Sequence, residues 1–369
     1  MQSKRANRRS TNRSARAGAF TLIELLTVVF IIGLLIAILV PAINLARNAA
    51  KNAKTASLLK AVDTGLEMFK QENEKDFRVT NGYPASFVHP KIKGLTSFTE
   101  TQRNQGRFPF VVGGTLPRVS GAHWLPFFLL GKDALGYVKL STVPSSIRDE
   151  PEKWYTEEPL GPGKGILERA SLYVDPETLR LKKTADLPGL LLGLSPQGGD
   201  EDPLNELPVI VDPFDQAVLY YASNTHGTGR NMVSPEHKDE NNYTAEGGPP
   251  YYFHQDNAYF TGNDADPLGW DYGSRAREIG GVMVLHRIAK SGHELNAETL
   301  TEEQNRETFA NYIYDHNAYQ RAPLDGDGHA PANWPLKPVR PDSYLLITAG
   351  VDGLYGTNDD VTTLPAFED

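Results

Sequence analysis

No cysteine occurs among the 369 residues. Thiolate metal sites, thiol nucleophiles and disulfides are therefore excluded; export is not, since a large enough core can dispense with disulfides. The nine histidines are scattered, and the closest pair, His286 and His293, is seven residues apart, which favours surface or packing roles over a metal motif. The sequence also lacks H-E-x-x-H, G-x-S-x-G and G-x-G-x-x-G. Gly161-Pro162-Gly163-Lys164-Gly165 lacks both the spacer and the closing Ser/Thr of a phosphate loop and reads as a turn. No pair of carboxylates is marked out as acid and base, so no enzyme activity is expected.

Acidic residues are missing from the first 19 positions, where Lys4, Arg5, Arg8, Arg9, Arg13 and Arg16 give +6. The rest of the chain is acidic, since the total is 37 basic against 46 acidic side chains. An acidic body is a poor partner for nucleic acid, which needs lysines and arginines grouped on one face. A basic head before an apolar run stays cytoplasmic while the remainder crosses the membrane.

Residues 20–43 carry one charge, Glu24, in a stretch about 36 Å long as a helix, enough to span a bilayer. A secretory signal peptide has a shorter apolar region and a small-residue cleavage site after it. Here the small residues Ala17, Gly18 and Ala19 come before the run. The twin arginines are followed by Ser10-Thr11-Asn12 rather than by apolar residues, which argues against a twin-arginine export signal. A carboxylate inside such a span marks a functional position. The span offers it no cation, but cleavage just before Phe20 would create an α-amino group at the same depth, on the same chain or on a neighbour.

The run Gly18-Ala19-Phe20-Thr21-Leu22-Ile23-Glu24-Leu25-Leu26 resembles the processing signal of type IV prepilins and type II secretion pseudopilins. The resemblance implies that a membrane peptidase removes residues 1–19 between Ala19 and Phe20 and methylates Phe20. Glu24 then becomes the fifth mature residue, and Gly33 and Pro41 fall where family helices carry Gly and Pro. Family members usually have Gly before the cut; cleavage between Gly18 and Ala19 would restore it but displace Glu24 to sixth. The implied partners are copies of the chain and other pseudopilins, the prepilin peptidase, an inner-membrane assembly platform and membrane lipid.

Helical spacing continues past Pro41 through Leu45, Ala49, Ala53, Ala56, Leu59, Val62, Leu66 and Phe69, with Arg47, Asn48, Lys51, Asn52, Lys54 and Lys60 on the other face. Pro41 removes a backbone donor and is expected to kink or loosen the helix. The pattern fades by residue 74, and Asn81-Gly82-Tyr83-Pro84 reads as a turn. Small alanines on the stripe suit close packing on a head or on neighbouring stems.

Beyond the stem, residues 76–206 read as an α+β insert with short apolar pieces, among them 124–130. Residues 207–222 predict two strands, 209–211 and 217–221, around Asp212-Pro213-Phe214-Asp215. A polar excursion covers 223–275; further strands are expected at 281–288 and 343–349, with a helix over 298–314 between them. The Asp212 turn with Val218-Leu219-Tyr220-Tyr221 is similar to a hairpin of the major pseudopilin. The closing Gly350-Val351-Asp352-Gly353, then Gly356-Thr357-Asn358-Asp359-Asp360, looks like that family's C-terminal loop, which holds calcium. The resemblance implies calcium ligation by Asp352 and Asp360, with Asp359 displaced by one place, and over 110 residues between the two matched pieces have no counterpart in the family. Calcium chemistry is consistent with such a loop, since the ion takes six to eight oxygens. Asp325 and Asp327 form a weaker candidate of D-x-D type, without the downstream Glu of a helix–loop–helix site.

The expected architecture is α+β. It comprises a removable leader (1–19), a membrane helix (20–43), a helical stem (44–75), an insert (76–206) and an antiparallel head with a long insertion and the acidic loop (207–369). The expected role is a structural subunit of a type II secretion filament in the inner membrane, its N-terminus cytoplasmic. Alternatives are a type IV pilus or DNA-uptake pilin, or, from another class, a membrane-tethered exported enzyme or carbohydrate-binding module.

Overall fold

The computed structural model describes residues 21–75, 77–86, 120–131, 133–139, 142–144, 155, 167–187, 207–225, 227, 251–262, 276–279, 282–286, 288, 308–315 and 337–364. The chain divides into two units, Met1–Ala50 and Lys51–Asp369. Its described elements combine one long N-terminal helix with small antiparallel sheets, an α+β content.

Helix α1 spans Leu22–Asn73 and passes through both Gly33 and Pro41 without ending. Thr21 and Glu24 start it as a reciprocal pair. The Thr21 N–H and hydroxyl donate to Glu24 Oε2 at 2.8 and 2.7 Å, and the Glu24 N–H donates to Thr21 Oγ1 at 3.3 Å. This is a capping box, which satisfies backbone donors that the first helical turn leaves free.

Within the first unit, the apolar side chains of α1 are exposed: Leu22 is 81% exposed and Leu45 71%. In the second unit α1 buries Thr55, Leu58, Leu59, Val62, Gly65, Leu66 and Phe69. The predicted stripe therefore holds from Leu59 onward, whereas Ala49, Ala53 and Ala56 stay exposed. Thr55, Leu58 and Gly65 replace them on the buried face, because the surface offered by the head, not periodicity alone, selects which side of a helix is covered.

Described residues of the expected insert, 76–206, share the core that α1 enters. Helix α2, Gly121–Leu130, is buried along its whole length. Its Trp124, Leu125, Phe128 and Leu129 pack with Leu59, Val62, Leu66 and Phe69 of α1. Phe69 lies at the centre of an aromatic cluster, with ring centroids 5.2 Å from Phe77, 5.7 Å from Phe128 and 5.2 Å from Tyr173. Edge-on contacts of this kind add to the burial of large rings.

Strand β1, Leu181–Lys183, pairs antiparallel with β2, Pro208–Ile210. The chain then turns through Asp212 into β3, Leu219–Ala222. Asp212 Oδ1 accepts from the Phe214 and Gln216 N–H groups at 2.8 and 2.9 Å, and Asp215 takes a left-handed φ of 66°. Asp tolerates that conformation better than most residues, and here it is held by Arg180 at 2.6 Å and Lys182 at 2.9 Å.

A short helix α3, Ala258–Thr261, precedes a hairpin of β4, Ala276–Ile279, and β5, Val282–Leu285. Helix α4 covers Phe309–Ile313; the part of the expected 298–314 helix before residue 308 lies outside the described residues. Strand β6, Tyr344–Thr348, pairs antiparallel with β3 and with β7, Val361–Thr362. The strand expectations at 209–211, 217–221, 281–288 and 343–349 correspond to β2, β3, β5 and β6 within a few residues.

Side chains alternate across β3 and β6. Val218, Tyr220, Ala222, Tyr344 and Leu346 face the α1–α2 core. Ala217, Leu219, Tyr221, Leu345 and Ile347 pack instead with Tyr252, Tyr259, Phe260, Phe309 and Ile313. The stretch between β3 and β6 thus contributes a second layer, and the central strands are buried on both faces, which explains their continuous apolar run.

Candidate functional site

Two places carry the predicted functional residues. The first is the start of α1. Phe20, Ala19 and Gly18 lie outside the described residues. Glu24 is exposed, with the Thr21 N–H and hydroxyl as its donors. Gly33 stands open: an added Cβ would meet nothing within 4 Å. One apolar helix of the described residues is long enough to cross a membrane, and it is α1. Between Leu22 and Ala46, Glu24 is the one charged side chain, and there a neighbour or a lipid headgroup could address the helix electrostatically.

The second place is the loop joining β6 to β7. Gly350 and Gly353 adopt left-handed φ angles of 56° and 71°, which fold the chain back sharply. A Cβ at Gly350 would fall 2.3 Å from the Asp359 carbonyl oxygen, so the position admits no side chain. Asp359 Oδ2 accepts from the Val351 N–H at 2.7 Å and the Asp352 N–H at 3.0 Å, and Oδ1 from the Thr357 hydroxyl at 2.6 Å. Asp352 Oδ1 accepts from the Leu354 N–H at 2.7 Å. Asp360 Oδ2 accepts from the Gly356 N–H and the Tyr312 hydroxyl, each at 2.7 Å.

These settings separate the three acids. Burial pushes the Asp360 carboxyl up to about 7, although Tyr312 and the Gly356 N–H favour its charged form. Burial also raises Asp352, and the Asp359 charge adds to that rise after the Leu354 N–H has offset part of it. At Asp359 burial is outweighed by the Thr357 hydroxyl and the Asp352 and Val351 N–H groups, which hold the carboxyl below its ordinary value.

Asp359 is therefore the acid that acts on Asp352, while Asp360 is engaged by Tyr312. An all-oxygen loop with two like-charged carboxylates acting on each other has the donor chemistry of a hard cation such as calcium. Among the described residues no three His, Asp or Glu side chains are grouped to hold a metal, so further ligands would have to be main-chain carbonyls. Asp325 and Asp327 lie outside the described residues.

Sequence reasoning missed Tyr312 and His286. The Tyr355 N–H donates to His286 Nδ1 at 3.2 Å, and the Tyr355 hydroxyl to the Ala217 carbonyl at 2.7 Å. Nothing local in the sequence links residues so far apart.

No protein-family model, no curated protein and no solved structure matches the chain.

Proposed function

We propose that the chain is a prepilin-like structural subunit of a type II secretion filament or a related type IV pilus system. In this reading a peptidase cuts between Ala19 and Phe20 and methylates Phe20. The mature chain waits in the inner membrane with the head outside the cytoplasm, then joins copies of itself and other pseudopilins at an assembly platform. The observation that supports the reading is the state of α1. From Leu22 to Leu45 its large apolar side chains are exposed, with Glu24 as the one charged residue, while from Thr55 to Phe69 it is built into a folded head.

Assembly would bury that apolar surface, a gain of about 25 cal/mol per Å² outside the bilayer. Glu24 would set the register by pairing with the new amine of residue 20 on a neighbour. Thr21 presents the Glu24 carboxylate toward the helix start, where that amine would lie. In the C-terminal loop Asp352 and Asp359, with main-chain carbonyls, would hold calcium, and the ion would cancel their mutual repulsion.

Mass spectrometry of the purified protein tests the reading. A mature N-terminus at Phe20 carrying one added methyl is expected; an intact leader would instead fit a membrane-tethered exported protein. Glu24→Ala is expected to be processed normally yet to fail in assembly, and filaments of normal length and number would refute the register role.

A further inference from the structure

We propose that α4 braces the C-terminal loop through Tyr312, ordering it from the protein side before any cation arrives. The brace stands on geometry alone; its link to cation affinity rests on the calcium reading above.

Helix α4 is itself firmly seated. Phe309 and Ile313 are fully buried in the second core, and the Phe309 ring lies 4.6 Å from that of Tyr221 on β3. The Val339 N–H donates to the Ile313 carbonyl at 2.8 Å and the Asp315 N–H to the Lys337 carbonyl at 2.9 Å, closing a neck just beyond the helix. Tyr312 therefore projects from a rigid base. Its hydroxyl meets the same Asp360 oxygen that accepts the Gly356 N–H. A second tether comes from His286, whose Nδ1 accepts from Tyr355 inside the loop. Both tethers belong to the stretch between β3 and β6, so this stretch covers the sheet and also grips the loop that follows it.

The consequence is a division of labour among the acids. Asp360 is occupied by Tyr312 and Gly356 and holds the loop in place. Among the described residues, Asp359 and Asp352 accept only from groups inside the loop, the Val351, Asp352 and Leu354 N–H groups and the Thr357 hydroxyl, and so tie it to itself rather than to α4. Ordering a backbone residue costs about 1–2 kcal/mol of conformational entropy. When the fold meets that cost, a ligand does not have to, and its affinity rises. Tyr312 is thus a positioning residue rather than a ligand.

Tyr312→Phe removes the hydroxyl and keeps the ring. Hydrogen exchange on the full-length protein in detergent with excess chelator is the first readout. Amides of Val351, Asp352 and Gly356 are expected to exchange up to about tenfold faster than in the wild type, the scale of one hydrogen bond. Exchange in β6 and α1 should not change. Unaltered loop exchange overturns the brace. A double-variant cycle guards against general loosening: adding Tyr312→Phe to Asp360→Ala should accelerate the loop no further, and additive effects also overturn it. Calorimetric titration with calcium alone is the second readout. A wild type that takes up no calcium removes the calcium reading and leaves the brace to the exchange data. A Tyr312→Phe protein that binds calcium as tightly as the wild type removes the link between brace and affinity.

Discussion

The Tyr344 hydroxyl donates to the Asp63 carboxylate, tying the first residue of β6 to the last quarter of α1. Around this bond the Arg340 guanidinium lies 4.9 Å from the centre of the Tyr344 ring, and Tyr83 packs edge-on against the same ring at 4.7 Å. The Tyr83 hydroxyl in turn donates to Glu67 one turn further along α1 at 2.7 Å. A polar seam thus fastens sheet and helix beside an apolar core, and it holds them in one register.

Tyr344→Phe is expected to lower the stability of the detergent-solubilised protein by about 1–2 kcal/mol, the range for a partly exposed bond to a carboxylate. Urea unfolding followed by tryptophan fluorescence measures it. A midpoint equal to that of the wild type would show the seam to be energetically idle.

Gly121 opens α2 against β3. A Cβ there would fall 1.9 Å from the Tyr220 carbonyl oxygen, a backbone atom that cannot swing aside. Asn257 clamps the same contact, accepting from the Ala122 N–H at 2.9 Å and donating to the Tyr220 carbonyl at 2.8 Å. Gly121→Ala should therefore cost about 3 kcal/mol, although alanine is the better helix former. Thermal unfolding reads the loss, and a variant as stable as the wild type would contradict this packing.

His123 is buried, accepting from the Ser120 N–H at 3.1 Å through Nδ1 and facing the Thr184 hydroxyl at 3.0 Å through Nε2. Burial lowers its pKa from 6.5 to about 3. The unfolded chain then takes up a proton that the folded one refuses. Its contribution is complete above pH 6.5 and is lost as pH falls toward about 3, at no more than about 1.4 kcal/mol per pH unit. Asp360, raised to about 7, acts with the opposite sign: its folded form keeps a proton that the unfolded form sheds, so stability falls as pH rises toward 7. Melting temperatures at pH 7.5, 6 and 5 should show His123→Gln losing less on acidification than the wild type, and Asp360→Asn losing less between pH 5 and 7.5. Parallel curves for all three proteins would remove both assignments.

Calcium removal tests the acidic loop. The melting temperature of the wild type is expected to drop when chelator replaces calcium, while Asp352→Ala should show little difference between the two conditions. An identical melting temperature for the wild type in calcium and in chelator would count against ligation by Asp352 and Asp359.

The elements that could be read from the sequence were those whose signal is local. The unbroken apolar run with one acid specifies α1, and alternating or continuous apolar pieces around Asp212-Pro213 specify β2 and β3. Helix α2 was read only as an apolar fragment, because a helix buried on every side has no polar face and so no period to detect. The alanines at 49, 53 and 56 fit a helical stripe equally well whether covered or bare, so their exposure was not legible. At the acidic loop, the resemblance singled out Asp352, Asp359 and Asp360 but could not give their separate settings. Those depend on Tyr312 and on N–H groups that converge only once the chain has turned on Gly350 and Gly353.

The sequence by itself determined a basic head, an apolar span with one carboxylate, and a chain of helical period running into a strand-rich body. Each of these is written in neighbouring residues through charge, hydropathy and spacing. Only the tertiary structure decided that the stretch between β3 and β6 covers the second face of the sheet, that Asp63 meets Tyr344, and that Tyr312 holds Asp360. Such contacts join residues tens to hundreds of positions apart, and their energy comes from burial and from donors brought together by packing, which no local pattern encodes.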